Sequence, residues 1–248
     1  MIPADDPFSL ALLYHLNSHA WFNNGAEPEE DFPVHYAEGL GLEPLVALPP
    51  TSMSSVVELL VARNSCRKYQ QGTLPREHLA VLLFGAGGLV GLSEYAPGLS
   101  LARRATPSAG ALFPLEIYVF VERVDGIDDG LYRFNATSHT LQLQRAGSLL
   151  RGLGSLLLDQ AYFDDANVVL VLAAALEPTL RKYGPRGYRY VLLEAGHAAQ
   201  NVCLLATELG LGSLCVGGFS DMELNGLLGL DGTRHAAIYC VGCGYGAK

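Results

Sequence analysis

The chain has 248 residues, 50% of them hydrophobic and 17% charged, with a mean hydropathy of +0.23. So apolar a composition excludes intrinsic disorder, and a net charge of −9 points away from nucleic acid and anionic membranes as partners. The apolar run over 168–176 falls well short of the ~20 residues of a membrane-spanning helix, so the apolar surplus must fill a core, a subunit interface or a cofactor cleft.

The opening Met-Ile-Pro-Ala-Asp-Asp has no basic stretch and no apolar stretch of the secretion type, which leads us to expect a cytoplasmic protein. Residues 8–22 predict a short apolar helix, and the acidic, proline-bearing stretch 23–51 predicts an extended arm. Ser54 or Ser55 is expected to cap a helix running to about Arg63, with Val56, Leu59 and Leu60 on one face. Pro75 opens a second helix to about Gly85. Residues 85–111, rich in Gly, Ser, Arg and Pro, read as a loop too long to be mere connection, functional or disordered. Strands are expected at 115–121, in a hairpin over 130–135 and 140–144, and at 167–174, where a continuous apolar run suits a strand buried on both faces. The longest helix is expected over 188–209, ended by Gly210. There Val191, Ala195, Ala198, Val202, Leu205 and Leu209 recur at four-three spacing, with Leu192, Ala199, Cys203 and Ala206 on the adjoining face. Strands at 212–218 and 236–242 flank a short helix from Asp221. The sum is one α+β domain over 52–248, preceded by the arm.

Four segments could carry chemistry. Arg63-Asn64-Ser65-Cys66-Arg67-Lys68 puts three cations at a helix C-terminus. Two arginines four apart could clamp a phosphate, although cations also suit that end of a helix dipole. Between Arg103 and Pro114, small residues flanked by Pro107 and Pro114 would let backbone approach a flat ligand, or form an ordinary loop. The stretch from Arg181 to Tyr190 holds four cations and three tyrosines just before the long helix; lysine and tyrosine can act as general acid or base, and a solvated cationic segment is the alternative. Gly217-Gly218 ends a strand with exposed backbone N–H groups, or marks a turn. No glycine fingerprint follows a strand, so a Rossmann fold is excluded. Cys240-x-x-Cys243 lacks a second ligand pair and reads as two cysteines closing a buried strand; Cys203 and Cys215 read as small core residues, and no metal is expected.

Taken in order, these segments resemble the flavin-dependent nitroreductase superfamily, and within it the SagB-type dehydrogenase branch, the azoline oxidases of thiazole- and oxazole-bearing peptides. Arg63 to Arg67 resembles the R-x-S-x-R flavin-phosphate segment, and Pro107 to Glu116 the P-S-A-G-x-x-x-P-x-E signature. Gly130-Leu131-Tyr132 resembles the G-L-Y strand. Lys182-Tyr183 with Arg186, Tyr188 and Arg189 is similar to the K-Y-x-x-R-x-Y-R block. That block runs into a helix of the E-x-G-H-x-x-Q-N type at Glu194 to Asn201.

The resemblance implies a nitroreductase-like α+β fold, a central mostly antiparallel sheet flanked by helices, in an intertwined homodimer with FMN at the interface. It implies that Arg63, Asn64, Ser65 and Arg67 hold the FMN phosphate and ribityl chain. Pro107, Ser108, Ala109, Gly110 and Leu112 would reach the flavin from the partner subunit. Gly217 and Gly218 would approach the ring edge, and Arg186 and Gln200 would complete the cofactor contacts. Lys182 and Tyr183 would be catalytic. The superfamily's basic residue near the C-terminus has a counterpart only in Lys248. The implied function is FMN-dependent dehydrogenation of thiazoline or oxazoline rings in a small molecule or peptide, in company with a cyclodehydratase or synthetase complex. The alternatives are an NAD(P)H-dependent nitro or quinone reductase, an oxidase of a cyclic dipeptide or carrier-bound thiazoline, and a non-catalytic subunit of a synthetase.

Overall fold

The computed structural model describes residues 11, 13–15, 51–157 and 161–247. The N-terminal helix and arm expected over 1–51 lie outside these residues, except for Ala11 and 13–15, which are helical, and Thr51. Lys248 also lies outside.

Six strands form the central sheet, in the order β5-β4-β3-β6-β8-β7. They are β3 (Leu115–Val121), β4 (Gly130–Asn135), β5 (Thr140–Ala146), β6 (Val168–Ala175), β7 (Gly212–Val216) and β8 (His235–Gly244). Every neighbouring pair is antiparallel, as expected. The sheet is built around β6. Strand periodicity sends Val168, Leu170 and Leu172 into one core and Val169, Val171 and Ala173 into another. An unbroken apolar sequence is the only kind that satisfies both faces. β3 follows the same rule: Ile117, Val119 and Val121 face the first core, and Tyr118 and Phe120 the second.

Two helices cover the first face. α2 (Arg76–Gly87) supplies Leu79, Leu82, Leu83 and Ala86. α5 (Arg186–Glu208) supplies Val191, Ala195, Ala198 and Val202 along the four-three stripe. The second face is covered by Leu150, by Leu153 of the short helix α3 (Leu153–Leu156), by Phe163 and by α6 (Asp221–Leu228), which brings Leu224 and Leu228. Gly242 of β8 leaves room for the Phe163 ring, which lies where a Cβ would stand. Leu170 is fully buried under α2 and α5. Leu170→Ala is therefore expected to cost about 2–5 kcal/mol. A lower urea midpoint at an unchanged slope would register it.

Four expectations need correction. The stretch 85–111 is not one loop: α2 extends to Gly87, and β1 (Leu89–Ala96) and β2 (Leu99–Arg104) form a hairpin turning at Pro97-Gly98, where Gly98 takes φ 77°. Its side chains are mostly exposed, among them Leu92 and Tyr95, so no buried stripe announced it. Lys182 and Tyr183 are not in a segment leading to the long helix but end a separate helix, α4 (Leu176–Tyr183). Pro178 stands in its first turn, where a missing N–H costs nothing. α1 (Ser55–Ala62) forms with Ser54 as its cap, as expected; no residue of it is buried, and Val56, Leu60 and Val61 face outward. α5 starts two residues earlier than expected, and β7 stops at Val216, leaving Gly217 and Gly218 just beyond it.

Candidate active site

The expected site residues gather into two groups. The first lies along the edge strand β7. Arg63 ends α1, its amide donating to Leu59 O at 2.9 Å. The chain then runs beside β7: Ser65 bridges Ser213, and Cys66 N donates to Ser213 O at 2.8 Å. Buried Tyr69 anchors the segment through its hydroxyl, which donates to Gly242 O at 3.1 Å. Asn64, Ser65 and Arg67 are exposed and Arg63 half-buried. Among the described residues no acid pairs with Arg63, Arg67 or Lys68. Gly217 and Gly218, both exposed, continue β7 past the same segment.

The second group forms where the chain passes from β2 into β3. Thr106, 2% exposed, donates from Oγ1 to Ala86 O at 3.1 Å, and Asn201 Nδ2 donates to Gly85 O at 3.1 Å and Ala105 O at 3.3 Å. The loop is thus fastened to α2 and α5. Ser108 Oγ accepts from Phe113 N at 2.9 Å and closes the turn through Ala109, Gly110 and Leu112. Gly110 takes φ 62°, and a Cβ there would run into Lys182 Nζ and the Tyr183 hydroxyl. Ala111 and Phe113 also take positive φ, 54° and 47°, conformations that cost non-glycine residues free energy and cluster at functional sites. Arg104 lies 4.9 Å above the Phe113 ring. Lys182 Nζ is 5.4 Å from the Tyr183 ring centre, and the Tyr183 and Tyr190 rings meet edge-on at 5.0 Å.

So the Pro107–Gly110 loop and Lys182–Tyr183 meet within one chain. The strands flanked by the two groups, β3 and β7, are three inter-strand steps apart, roughly 14 Å at ~4.8 Å each. Arg186 and Gln200 are exposed on α5; among the described residues neither hydrogen-bonds to either group. A cleft of about 340 Å³ opens beside the loop, between Arg104, Phe113, Glu116 and Arg133. In its wall Arg133 donates to Glu116 at 2.7 Å.

Two residues of the site had no role assigned from sequence. Glu194 and Asn201 stand seven apart on α5, on one face, and both hold the 104–108 loop. A carboxylate and an amide in register on an otherwise apolar stripe are the signal. Glu194 is 4% exposed. Burial pushes its carboxyl up to about 7, against the Ser108 hydrogen bond and the Arg104 charge that pull it down. The folded protein therefore keeps a proton there that the unfolded chain gives up above its ordinary 4.5. Stability from this group is fully present below about pH 4.5 and declines as pH rises to about 7. Glu194→Gln is expected to flatten that decline, about 3 kcal/mol at most, in denaturation midpoints taken from pH 4.5 to 8.

The Nitroreductase family profile matches residues 60–245, which contain both groups. The chain belongs to the nitroreductase family. It is accordingly an oxidoreductase. A protein of Methanocaldococcus jannaschii named as a nitroreductase is 37% identical over 183 residues, 74% of this chain and 88% of that protein. The trifolitoxin-processing protein TfxB of Rhizobium leguminosarum bv. trifolii is 28% identical over 193 residues, and the microcin B17-processing protein McbC of Escherichia coli 30% identical over 142. The chain spans about half the length of each of these two processing proteins, 52%. Their likeness agrees with the SagB-type branch expected from the motifs. Among solved structures, a chain of the E. coli microcin synthetase McbBCD complex with truncated pro-MccB17 shares the fold at a TM-score of 0.66 and 22% identity, over 98% of this chain and 95% of that one. A nitroreductase solved with FMN, from Desulfovibrio desulfuricans, aligns at a TM-score of 0.55 and 16% identity over 79% of this chain and 89% of its own.

This nitroreductase-family site suits the family's flavin on three counts. Among the described residues, the Arg63 and Arg67 guanidinium groups have no acid partner, as a phosphate needs. Gly217 and Gly218 offer exposed backbone for a ring edge. Gly110 presents a side-chain-free surface beside Lys182 and Tyr183. No helix among the described residues is long and apolar enough to cross a membrane.

Proposed function

We propose that this protein is an FMN-dependent dehydrogenase that converts thiazoline or oxazoline rings of a peptide to the aromatic azoles. The observation that carries the reading is the packing of Gly110 against Lys182 and Tyr183, which brings the two signature segments of the SagB-type branch to one point. The names of TfxB and McbC as peptide-processing proteins support the substrate class.

The chemistry supplied by a bound FMN is acceptance of the two electrons that leave the ring. Arg63 and Arg67 would grip its phosphate, Asn64 and Ser65 would lie along its ribityl chain, and Gly217 and Gly218 would border its ring. Lys182 Nζ receives the proton that leaves a ring carbon, with the Tyr183 ring beside it, its centre 5.4 Å from that nitrogen. Glu194, through Ser108, fixes the loop against which the substrate ring rests. We further propose a homodimer in which the Pro107–Leu112 loop of one copy faces the Arg63–Arg67 segment of the other. The outward apolar residues Val56, Leu60 and Val61 of α1 and Leu192 and Leu193 of α5 support it. A cyclodehydratase that makes the azoline would be the working partner, and five free cysteines fit a reducing cytoplasm.

The test is incubation of the purified protein with a thiazoline-bearing peptide in air, followed by mass spectrometry. Loss of two hydrogens per ring is the expected result. An unchanged peptide, with a nitroaromatic or quinone reduced at the expense of NAD(P)H, overturns it in favour of the reductase reading.

A further inference from the structure

The five thiols occupy three kinds of setting. Cys240 and Cys243 stand three apart on β8, so they point to opposite faces and into separate cores, and burial pushes both thiols up. Cys66 donates from Sγ to Lys68 O at 3.1 Å. Cys203 on α5 and Cys215 on β7 instead face each other, with their sulfurs 3.4 Å apart. Among the described residues no group of three or more His, Cys, Asp or Glu side chains could hold a metal ion.

The surroundings of the pair are unequal. Cys203 is 5% exposed, and its sulfur shares a hydrogen bond with that of Cys215, either of which can donate, with the Ser213 side chain and the Arg63 charge also nearby. The Cys215 hydrogen bond comes first among the causes that favour the thiolate at Cys203; burial opposes them. The same contact and burial push Cys215 up, while Tyr239 hydrogen-bonds to it. Cys215 is half-buried, so a small oxidant has a route to the pair.

We propose that Cys203 and Cys215 form a peroxide-sensitive dithiol, a reversible modification site that ties α5 to the edge strand β7 beside the Arg63–Arg67 segment. The oxidant is hydrogen peroxide. The Cys203 sulfur attacks one peroxide oxygen, the O–O bond breaks, and the other oxygen leaves with a proton as water. Cys203 then carries a sulfenic hydroxyl. The Cys215 sulfur attacks the Cys203 sulfur, the S–S bond forms, and the hydroxyl departs with the Cys215 proton as a second water. Two thiols lose two electrons and two protons, and one peroxide becomes two waters. The sulfurs need to close by somewhat over 1 Å to reach the ~2.05 Å of a disulfide. A thiol reductant reverses the step by exchange.

The experiment uses the whole protein, reduced, freed of reductant and treated with a slight excess of hydrogen peroxide. Thiols are counted after denaturation, and cross-linked peptides are mapped by mass spectrometry, so the outcome does not depend on flavin. The five thiols of the sequence are expected to fall to three, with a Cys203–Cys215 cross-link that dithiothreitol removes. Cys66→Ser is expected to give the same cross-link. Cys215→Ser is expected to give none and to leave a dimedone-reactive sulfenic acid on Cys203. Retention of all five thiols in the wild-type protein, or a cross-link that includes Cys66, Cys240 or Cys243, overturns the proposal; the wild-type map decides the matter even where a variant fails to fold.

Discussion

Lys182→Ala is expected to lower azoline turnover by about 10²- to 10⁴-fold while flavin content stays that of the wild type. The expectation follows from where the side chain ends. Lys182 is the penultimate residue of α4, and its Nζ rests against Gly110, away from the Arg63–Arg67 segment. It belongs to the group proposed to meet substrate, not the group proposed to hold phosphate. Among the described residues no acid pairs with it, so its removal strands no buried charge and the fold should survive. Lys182→Arg is expected to be nearly as poor, because a guanidinium does not release its proton. Turnover on a thiazoline peptide, with flavin measured on the same sample, checks both. Loss of flavin in Lys182→Ala would instead make the residue a cofactor contact.

The second large effect is expected at the other group. Replacing Arg63 and Arg67 together by alanine should weaken flavin binding roughly 10²- to 10⁴-fold, the sum of two hydrogen bonds to a charged phosphate at ~1.5–3 kcal/mol each. The mechanism is loss of guanidinium donors that, among the described residues, have no acid partner. Arg63 also ends α1 and lies near Cys203, so the thermal midpoint of the variant must be compared with that of the flavin-free wild type. A variant that folds and keeps its flavin would move the phosphate site elsewhere.

The parts legible from sequence were those whose burial leaves a period. β6 could be read because both its faces are buried, and α5 because Val191, Ala195, Ala198 and Val202 keep one stripe under the sheet. The β1–β2 hairpin and α4 were hidden for opposite reasons. The hairpin buries almost nothing, and α4 carries a proline that only its first-turn position excuses. The motifs named residues that the fold gathers into the two groups, but not what supports them. Glu194 and Asn201 act on residues 85–108, far away in sequence, so their role exists only once α5 lies against that loop. Cys203 and Cys215 each sit in an apolar stretch and read singly as core; the turn at Gly210 between α5 and β7 makes them neighbours.

The most direct measurement is the reductive half-reaction. The purified protein, mixed without oxygen with a thiazoline-bearing peptide, should lose the visible absorbance of oxidised FMN in proportion to azole formed, one flavin per ring. The same mixing with Lys182→Ala should leave the absorbance in place. A flavin that is untouched by the azoline peptide but bleached by NAD(P)H would contradict azoline dehydrogenation and leave a pyridine-nucleotide-driven reductase in its place.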